Sequence, residues 1–267
     1  MSVNFNDITV TSLETITAFD IVTGEYRWTL DELQNATIAN TQETTDITGK
    51  QGRLLNTLKR NKAVTISGNN GMISGGLLET QVGGKFENKE TKVLFPEYLT
   101  VAGNAAATTY VATGTAGNEI EAVYVKNANS TLGAKLTQAD AVGAGVFTYD
   151  PETRQLAFNE GEIADGTEIA VYYFRNIKAD VLANMSDHYS EKAALYIDAF
   201  GEDKCANVYR MQFFVPQADF NGNFDIQMGD SQAVHAFEAR SLAGACTTAG
   251  GALWTVTIFG EDTPDAA

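Results

Sequence analysis

The chain has 267 residues, of which 44% are hydrophobic, and it carries 34 acidic and 18 basic residues for a formal net charge of -16. The hydrophobic fraction excludes a chain that is disordered over most of its length, and the length allows one large domain or two smaller ones. The acidic balance argues against a reader of nucleic acids and against a protein that binds anionic membranes, because both need basic surfaces.

Targeting and redox signals are weak in this sequence. The first residues lack the basic and apolar regions of a signal peptide, and no segment approaches the length of a membrane span. Cys205 and Cys246 are the only cysteines, and they are too far apart in sequence to suggest a disulfide scaffold. We therefore expect a protein that is made in a reducing cytoplasm and has no membrane partner.

The N-terminal region predicts two strands and, further along, a short helix. Residues 15–20 (TITAFD) and 26–30 (YRWTL) place large apolar side chains between polar ones on either side of a Gly-containing turn, as strands do. Residues 75–81 (GGLLETQ) predict the helix, which the glycines at 83 and 84 close.

A basic segment separates these elements. Between Asp46 and Glu79 there are five basic residues and no acidic one, so the rest of the chain holds 13 basic against 34 acidic residues, a net charge of -21. Two glycines predict a loop over residues 48–52, the three leucines between 54 and 58 predict one helical turn, and residues 63–67 (AVTIS) predict a strand.

This charge distribution fits a protein that binds copies of itself, because a basic loop can pair with the acidic body of the next copy. The alternative is a solvated basic loop with no partner. Nucleic-acid binding is disfavoured because the segment lacks the interleaved aromatic residues of a stacking platform. The predicted inter-subunit contacts are Lys50, Arg53, Lys59, Arg60 and Lys62.

The remainder of the chain is rich in predicted strands. Residues 87–180 contain short strands between Gly, Asn and Asp turns, at the spacing of a small β-sandwich or barrel. From residue 194 an antiparallel meander is predicted, in which Leu195, Ile197 and Ala199 face one side. Its next strand ends at Pro216, and Asn221-Gly222 predicts a tight hairpin into a strand over residues 224–228.

No catalytic residue, metal site or cofactor is predicted. Phe224 takes the place of the glycine that a calcium loop requires, so a hairpin explains the polar residues around it better than a metal site does. Those polar residues are Asp219, Asn221, Asn223, Asp225 and Asp230. His188 and His235 have no neighbouring ligand in sequence, and no nucleophile motif occurs, so we expect a protein that is not an enzyme.

Two stretches resemble the major tail tube proteins of long-tailed phages. The first covers residues 36–83, with ATIANTQETTDITGKQG, LKRNKAVTISG and GGLLETQ, and the second is the C-terminal meander, with ALYIDAF, VYRMQFFVPQA, NGNFDIQM, HAFEA and LWTVTIF. Together they span somewhat more than half of the chain. The resemblance implies a mainly β fold: a tail-tube-like sandwich of two antiparallel sheets with a short flanking helix over 1–86 and 181–267. Residues 87–180 would be an inserted or elaborated β module.

The resemblance also implies a structural role in the virion. Subunits of this family form hexameric rings that stack into a hollow tube, and DNA passes through the tube during ejection without specific binding. The implied partners are other copies of the chain and other tail proteins: the tape measure, the initiator, the terminator and, in a contractile tail, the sheath. The family's long loop, here residues 44–62, reaches the adjacent subunit or ring. Contractile tails, flexible tails and phage-derived injection systems remain equally compatible with this pattern.

A lumen that conducts DNA should repel phosphates, and the surplus of acidic residues suits that requirement. The candidate lumen-facing acids are Glu25, Asp198, Asp225 and Glu238. The alternative from another class is a capsid-associated or surface-binding β protein, in which residues 87–180 bind the host or a glycan. Tyr110, Tyr124 and Tyr172 would then form a binding face, unless they serve in core packing.

Overall fold

The computed structural model describes residues 7–227, 235–243 and 251–260. Across these residues the chain is mainly β, with two sheets and one short α-helix, and the predicted fold class is confirmed. The strands are β1 (Thr9–Phe19), β2 (Tyr26–Leu30), β3 (Leu33–Thr48), β4 (Leu54–Asn70), β5 (Glu87–Thr100), β6 (Ala105–Ala107), β7 (Ile120–Lys126), β8 (Leu132–Gln138), β9 (Val146–Asp150), β10 (Gln155–Phe158), β11 (Glu168–Val181), β12 (Lys192–Glu202), β13 (Val208–Phe220), β14 (His235–Ser241) and β15 (Thr255–Gly260). Helix α1 spans Gly75–Val82, and a 3-10 helix spans Lys50–Gly52.

The chain divides into two compact units, each with one sheet. The first unit comprises the described parts of Met1–Phe86 and Leu182–Ala267, and the second comprises Glu87–Val181. In the first unit the strands follow the order β2-β1-β12-β13-β14-β4-β3, all antiparallel, and β15 pairs with β13. Strands β1 and β3 lie far apart in this order but contact each other, so the sheet curls back on itself.

The concave side of this curled sheet holds the core of the first unit. Alternation along β12 buries Leu195, Ile197 and Ala199 and turns the residues between them to the other face, as the sequence predicts. Helix α1 contributes Leu77 to the same core. The other large buried side chains are Ile16, Trp28, Leu30, Ile66, Val215 and Phe237.

Helix α1 is fixed to the sheet by buried hydrogen bonds. Trp28 Nε1 donates to Thr80 Oγ1 at 2.9 Å, and the Ser74 backbone N–H donates to His235 Nδ1 at 3.3 Å. Because Nδ1 accepts, the neutral ring carries its proton on Nε2, which donates to Gln81 Oε1 at 2.7 Å. Gly83, at φ 72°, ends the helix as predicted.

Strand β13 does not end at Pro216, as the sequence suggested, but continues to Phe220. Its register with β12 shifts between the pairs Leu195↔Val215 and Ala193↔Ala218, so β13 carries one extra residue there. Pro216 lies in this bulge, where the missing N–H interrupts no ladder hydrogen bond.

The tight hairpin predicted at Asn221-Gly222 is also wrong. The Asn221 N–H donates to the Glu238 carbonyl of β14 at 2.8 Å, and its side chain accepts from the Asn223 N–H at 3.1 Å. Residues 221–227 form no strand, only an isolated bridge between Ile226 and His235. The Asn221 side chain closes a local turn, and its backbone is bound to β14, so no two-residue hairpin forms. Residue 228 of the predicted strand lies outside the described residues.

The second unit has its own sheet and core. Its strands follow the order β5-β11-β7-β8-β9-β10-β6, with one parallel pair, β8 and β9. Buried Phe147, Leu156, Ile169 and Tyr173 form the centre of its core. The Tyr173 hydroxyl donates to Glu97 Oε2 at 2.8 Å, and burial raises the pKa of this phenol.

Candidate functional site

Beyond the core, β3 and β4 continue together as a two-stranded hairpin. We define the distal hairpin as residues 41–63, since Val64 is the first buried residue of β4. Its ladder extends from Thr41↔Ala63 to Thr48↔Leu54, and none of its residues is buried. At about 3.3 Å per residue, each strand adds about 25 Å beyond the core.

The predicted loop over 44–62 is therefore mostly paired strand. The irregular part is limited to the tip, where Gln51 and Gly52 adopt positive φ angles of 64° and 73°. The helical turn predicted for the leucines is wrong, because Leu54 and Leu58 belong to β4 and pair with Thr48 and Thr45. A single helical turn gains little by itself, whereas the strand is held by a continuous cross-strand ladder.

The five predicted contact cations all lie on the distal hairpin and are exposed. Within the described part of the chain none of them forms an ion pair. The two acids of the hairpin are engaged with polar neighbours: Thr57 Oγ1 donates to Asp46 at 3.0 Å, and Asn61 Nδ2 donates to Glu43 at 2.6 Å. The charge of the cations is thus available to another molecule. The residues are Lys50, Arg53, Lys59, Arg60 and Lys62.

One face of the distal hairpin is apolar. Ile47 lies opposite Asn56 and Thr45 lies opposite Leu58, so alternation puts Ile47 and Leu58 on the same face. These two side chains, which we call the apolar face, are 42% and 43% exposed. Leu54 pairs with Thr48 beyond a register shift, and Leu55 covers Gly49, where an added Cβ would lie 2.8 Å from its Cδ1. The helical interpretation of the sequence had grouped Leu58 with Leu54 and Leu55 and so missed this face.

The four candidate lumen acids occupy two kinds of position. Asp198 and Glu238 alternate with buried residues on β12 and β14, so both point away from the core on one face of the sheet. Glu25 and Asp225 lie in exposed connections. Asp198 is partly neutralised, because Gln212 Nε2 donates to it at 3.1 Å and Arg210 Nη2 lies 3.6 Å away. Asp225 and Glu238 line one shallow depression.

The three tyrosines proposed for a binding face are not brought together. Tyr124 and Tyr172 lie on adjacent strands, with ring centroids 6.2 Å apart. The backbone N–H of Tyr110 donates to the hydroxyl of Tyr173 at 3.3 Å. The Tyr173 side chain points to the opposite face of β11 from Tyr172. The guanidinium of Arg175 covers the Tyr110 ring at 3.6 Å.

An ionic cluster that the sequence analysis missed lies at the β1–β2 turn. Arg27 Nη2 contacts Asp20 Oδ2 at 2.6 Å, and Arg27 Nη1 pairs with Glu191. Hydrogen bonds from the N–H groups of Thr23 and Val22, together with Arg27, hold the pKa of Asp20 well below its usual range. The partner Glu191 is distant in sequence, so no local pattern could have revealed this contact.

Among the residues that the structure describes, no cluster of three or more His, Cys, Asp or Glu side chains could hold a metal ion. Asp230, one of the polar residues weighed as a calcium loop, lies outside the described residues. None of the described helices is long and apolar enough to cross a membrane.

Comparison with known protein families identifies the family of this chain. Residues 9–256 match the YomU/Tube protein family, so the match spans both units. The chain belongs to the YomU/Tube protein family. This family is phage-associated and tube-like. No curated protein matches the chain.

Proposed function

We propose that this member of the YomU/Tube family is the major tail tube subunit of a long-tailed phage. Copies of the chain form hexameric rings, the rings stack into a tube, and the tube conducts DNA during ejection. The role is structural and has no catalytic step. The tape measure, the tube initiator and the terminator are its partners in the virion, with the sheath if the tail contracts.

The distal hairpin is the observation that carries this proposal. It places five cations and four large exposed aliphatic side chains on an arm that has no buried residue. A two-stranded arm of this kind is only marginally stable by itself in water, and the remainder of the chain is strongly acidic. Burial against a second copy gives both groups of side chains a partner. Affinity then comes from apolar burial and strand pairing, while charge sets the register.

The acidic balance of the chain, a net charge of -16, supports the conducting role, because a wall of that charge repels phosphates instead of holding them. Asp198 and Glu238 share the convex face of the curled sheet, on which Arg210 and Arg240 also lie. Each phosphate contact with a lysine would slow the passage of DNA. We assign this face of the first unit to the lumen.

Negative-stain electron microscopy of the purified protein tests the proposal. We expect rings with sixfold symmetry, or hollow tubes, at high protein concentration and low salt. Protein that remains monomeric under all conditions, and that binds glycans on an array, would contradict the proposal and favour the surface-binding alternative.

A further inference from the structure

The first unit has an apolar groove at the opening of its curled sheet. The groove has a volume of about 490 Å³ and lies where the β1–β12–β13 side meets the β3–β4 side. No basic residue lines it. The side chains that define it are Val10, Leu13, Leu33, Ile38, Phe213 and Trp254.

Two strands at this groove have a free edge. Within the described residues, strand β2 pairs only with Ile16–Phe19 of β1, so the first half of β1 has a neighbour on one side only, β12. Residues 35–48 of β3 pair only with β4 in the described part of the chain. Unpaired N–H and C=O groups on such edges can accept an added strand. The groove thus offers backbone hydrogen bonds as well as apolar burial.

We propose that this groove receives the apolar face of the distal hairpin from a second copy of the chain. The inference rests on the proposed self-assembly and names the surface that the hairpin contacts. Ile47 and Leu58 supply exposed aliphatic side chains on one face, and Leu13 and Phe213 in the groove offer a matching surface.

Charge complementarity favours this occupant over other apolar ligands. Exposed acids adjoin the groove: Glu14 follows Leu13 in β1, and Asp31 and Glu32 precede Leu33. None of the three acids forms an ion pair within the described residues. The five cations of the distal hairpin are equally unpaired, so docking brings opposite charges together around an apolar centre.

The geometry excludes the chain's own hairpin as the occupant. Residues 33–38 of β3 line the groove, and the same strand continues into the distal hairpin while paired with β4. The hairpin would have to reverse its direction within one ladder to enter the groove beside its own base. A second copy meets no such constraint.

Disulfide trapping between two single-cysteine proteins tests the proposal. Cys205→Ser and Cys246→Ser remove the native thiols, and Leu58→Cys and Val10→Cys are then introduced into separate proteins, one of which carries a size tag. After the two proteins assemble together and are oxidised, we expect a mixed disulfide dimer on a non-reducing gel. Thr57→Cys, on the opposite face of the hairpin, is the matched control and should give at least tenfold less of the mixed dimer with Val10→Cys.

The outcomes separate this inference from the proposed function. Rings or tubes with the Leu58→Cys to Val10→Cys disulfide support both. Rings or tubes in which Thr57→Cys reacts as well as Leu58→Cys, or in which neither reacts, overturn the groove assignment and leave the tube function intact. If the cysteine-free parent forms no rings or tubes, the proposed function fails and the inference fails with it.

Discussion

Strand β4 passes through two environments, one inside the core of the first unit and one on the exposed distal hairpin. Residues 64–70 alternate between buried and half-buried positions against the core. Residues 54–62 of the same strand contain no buried position. The backbone ladder with β3 continues through both parts, so hydrogen bonding does not distinguish them. Side-chain burial within the chain maintains the first part, and burial against another copy is proposed for the second.

The largest expected effect comes from breaking the core part of this strand. Ile66 is fully buried, so Ile66→Ala should destabilise the first unit by about 2–5 kcal/mol. Leu58→Ala, in the distal part of the same strand, should change the stability of the monomer by less than about 0.5 kcal/mol. Urea unfolding followed by tryptophan fluorescence measures both, because Trp28 and Trp254 both belong to the first unit. Equal losses would mean that the distal hairpin is part of the monomer's core.

A second variant tests how tightly helix α1 packs against the core of the first unit. A Cβ at Gly76 would lie 2.6 Å from Trp28 Cβ, so Gly76→Ala must displace the helix or the indole ring. We expect a loss of about 1–3 kcal/mol, as for other overpacked sites. Gly75→Ala is the matched control, because its Cβ would meet Phe86 at an ordinary 3.4 Å. A stable Gly76→Ala protein would show that the helix is not tightly docked.

Acidification should weaken the packing of helix α1 against the sheet by a smaller amount. His235 is fully buried and accepts a hydrogen bond at Nδ1, and burial lowers its pKa below the usual 6.5. The unfolded chain therefore binds the proton more readily, and stability should fall as the pH drops below about 6.5. His235→Gln should remove this part of the pH dependence between pH 7 and pH 5, whereas His188→Gln, at an exposed position, should keep it. Urea midpoints at several pH values provide the measurement.

The smallest effect on the isolated protein is expected at the candidate lumen acids. Glu238→Lys and Asp225→Lys change half-buried and exposed positions outside the core, so folding and assembly should remain intact. DNA ejection should be impaired, because a lysine in the lumen would hold phosphates. Ejection assays on virions that carry each variant measure the effect. Normal ejection would show that this face does not line the channel.

The sequence predicted the regular parts of the fold because their determinants are local. Alternation identified β12, and the glycine at 83 marked the end of α1. The predictions from sequence were wrong where tertiary contacts determine the local conformation. The leucines at 54 and 58 have helical spacing, but pairing with β3 places them on a strand. Pro216 is accommodated by a bulge that depends on the register with β12.

Of the candidate site, the sequence revealed the charges but not the shape. The five cations form a visible run, and their location on one exposed arm follows from that run. The apolar face became apparent only when the strand pairing was known, because Ile47 and Leu58 come together only through the ladder of β3 with β4. The groove draws on β1, β3, β12 and β13, which are distant in sequence, and no local pattern could reveal it.

The central claim is that the distal hairpin joins copies of the chain. The most direct test compares two charge-reversed proteins by negative-stain microscopy across a salt series. Lys59→Glu with Arg60→Glu changes the hairpin, and Lys92→Glu with Lys135→Glu changes net charge equally at exposed positions of the second unit. We predict that wild-type assemblies weaken with salt, that the hairpin variant forms few or none, and that the control resembles wild type. Assemblies that form equally in all three proteins and are indifferent to salt would contradict the account.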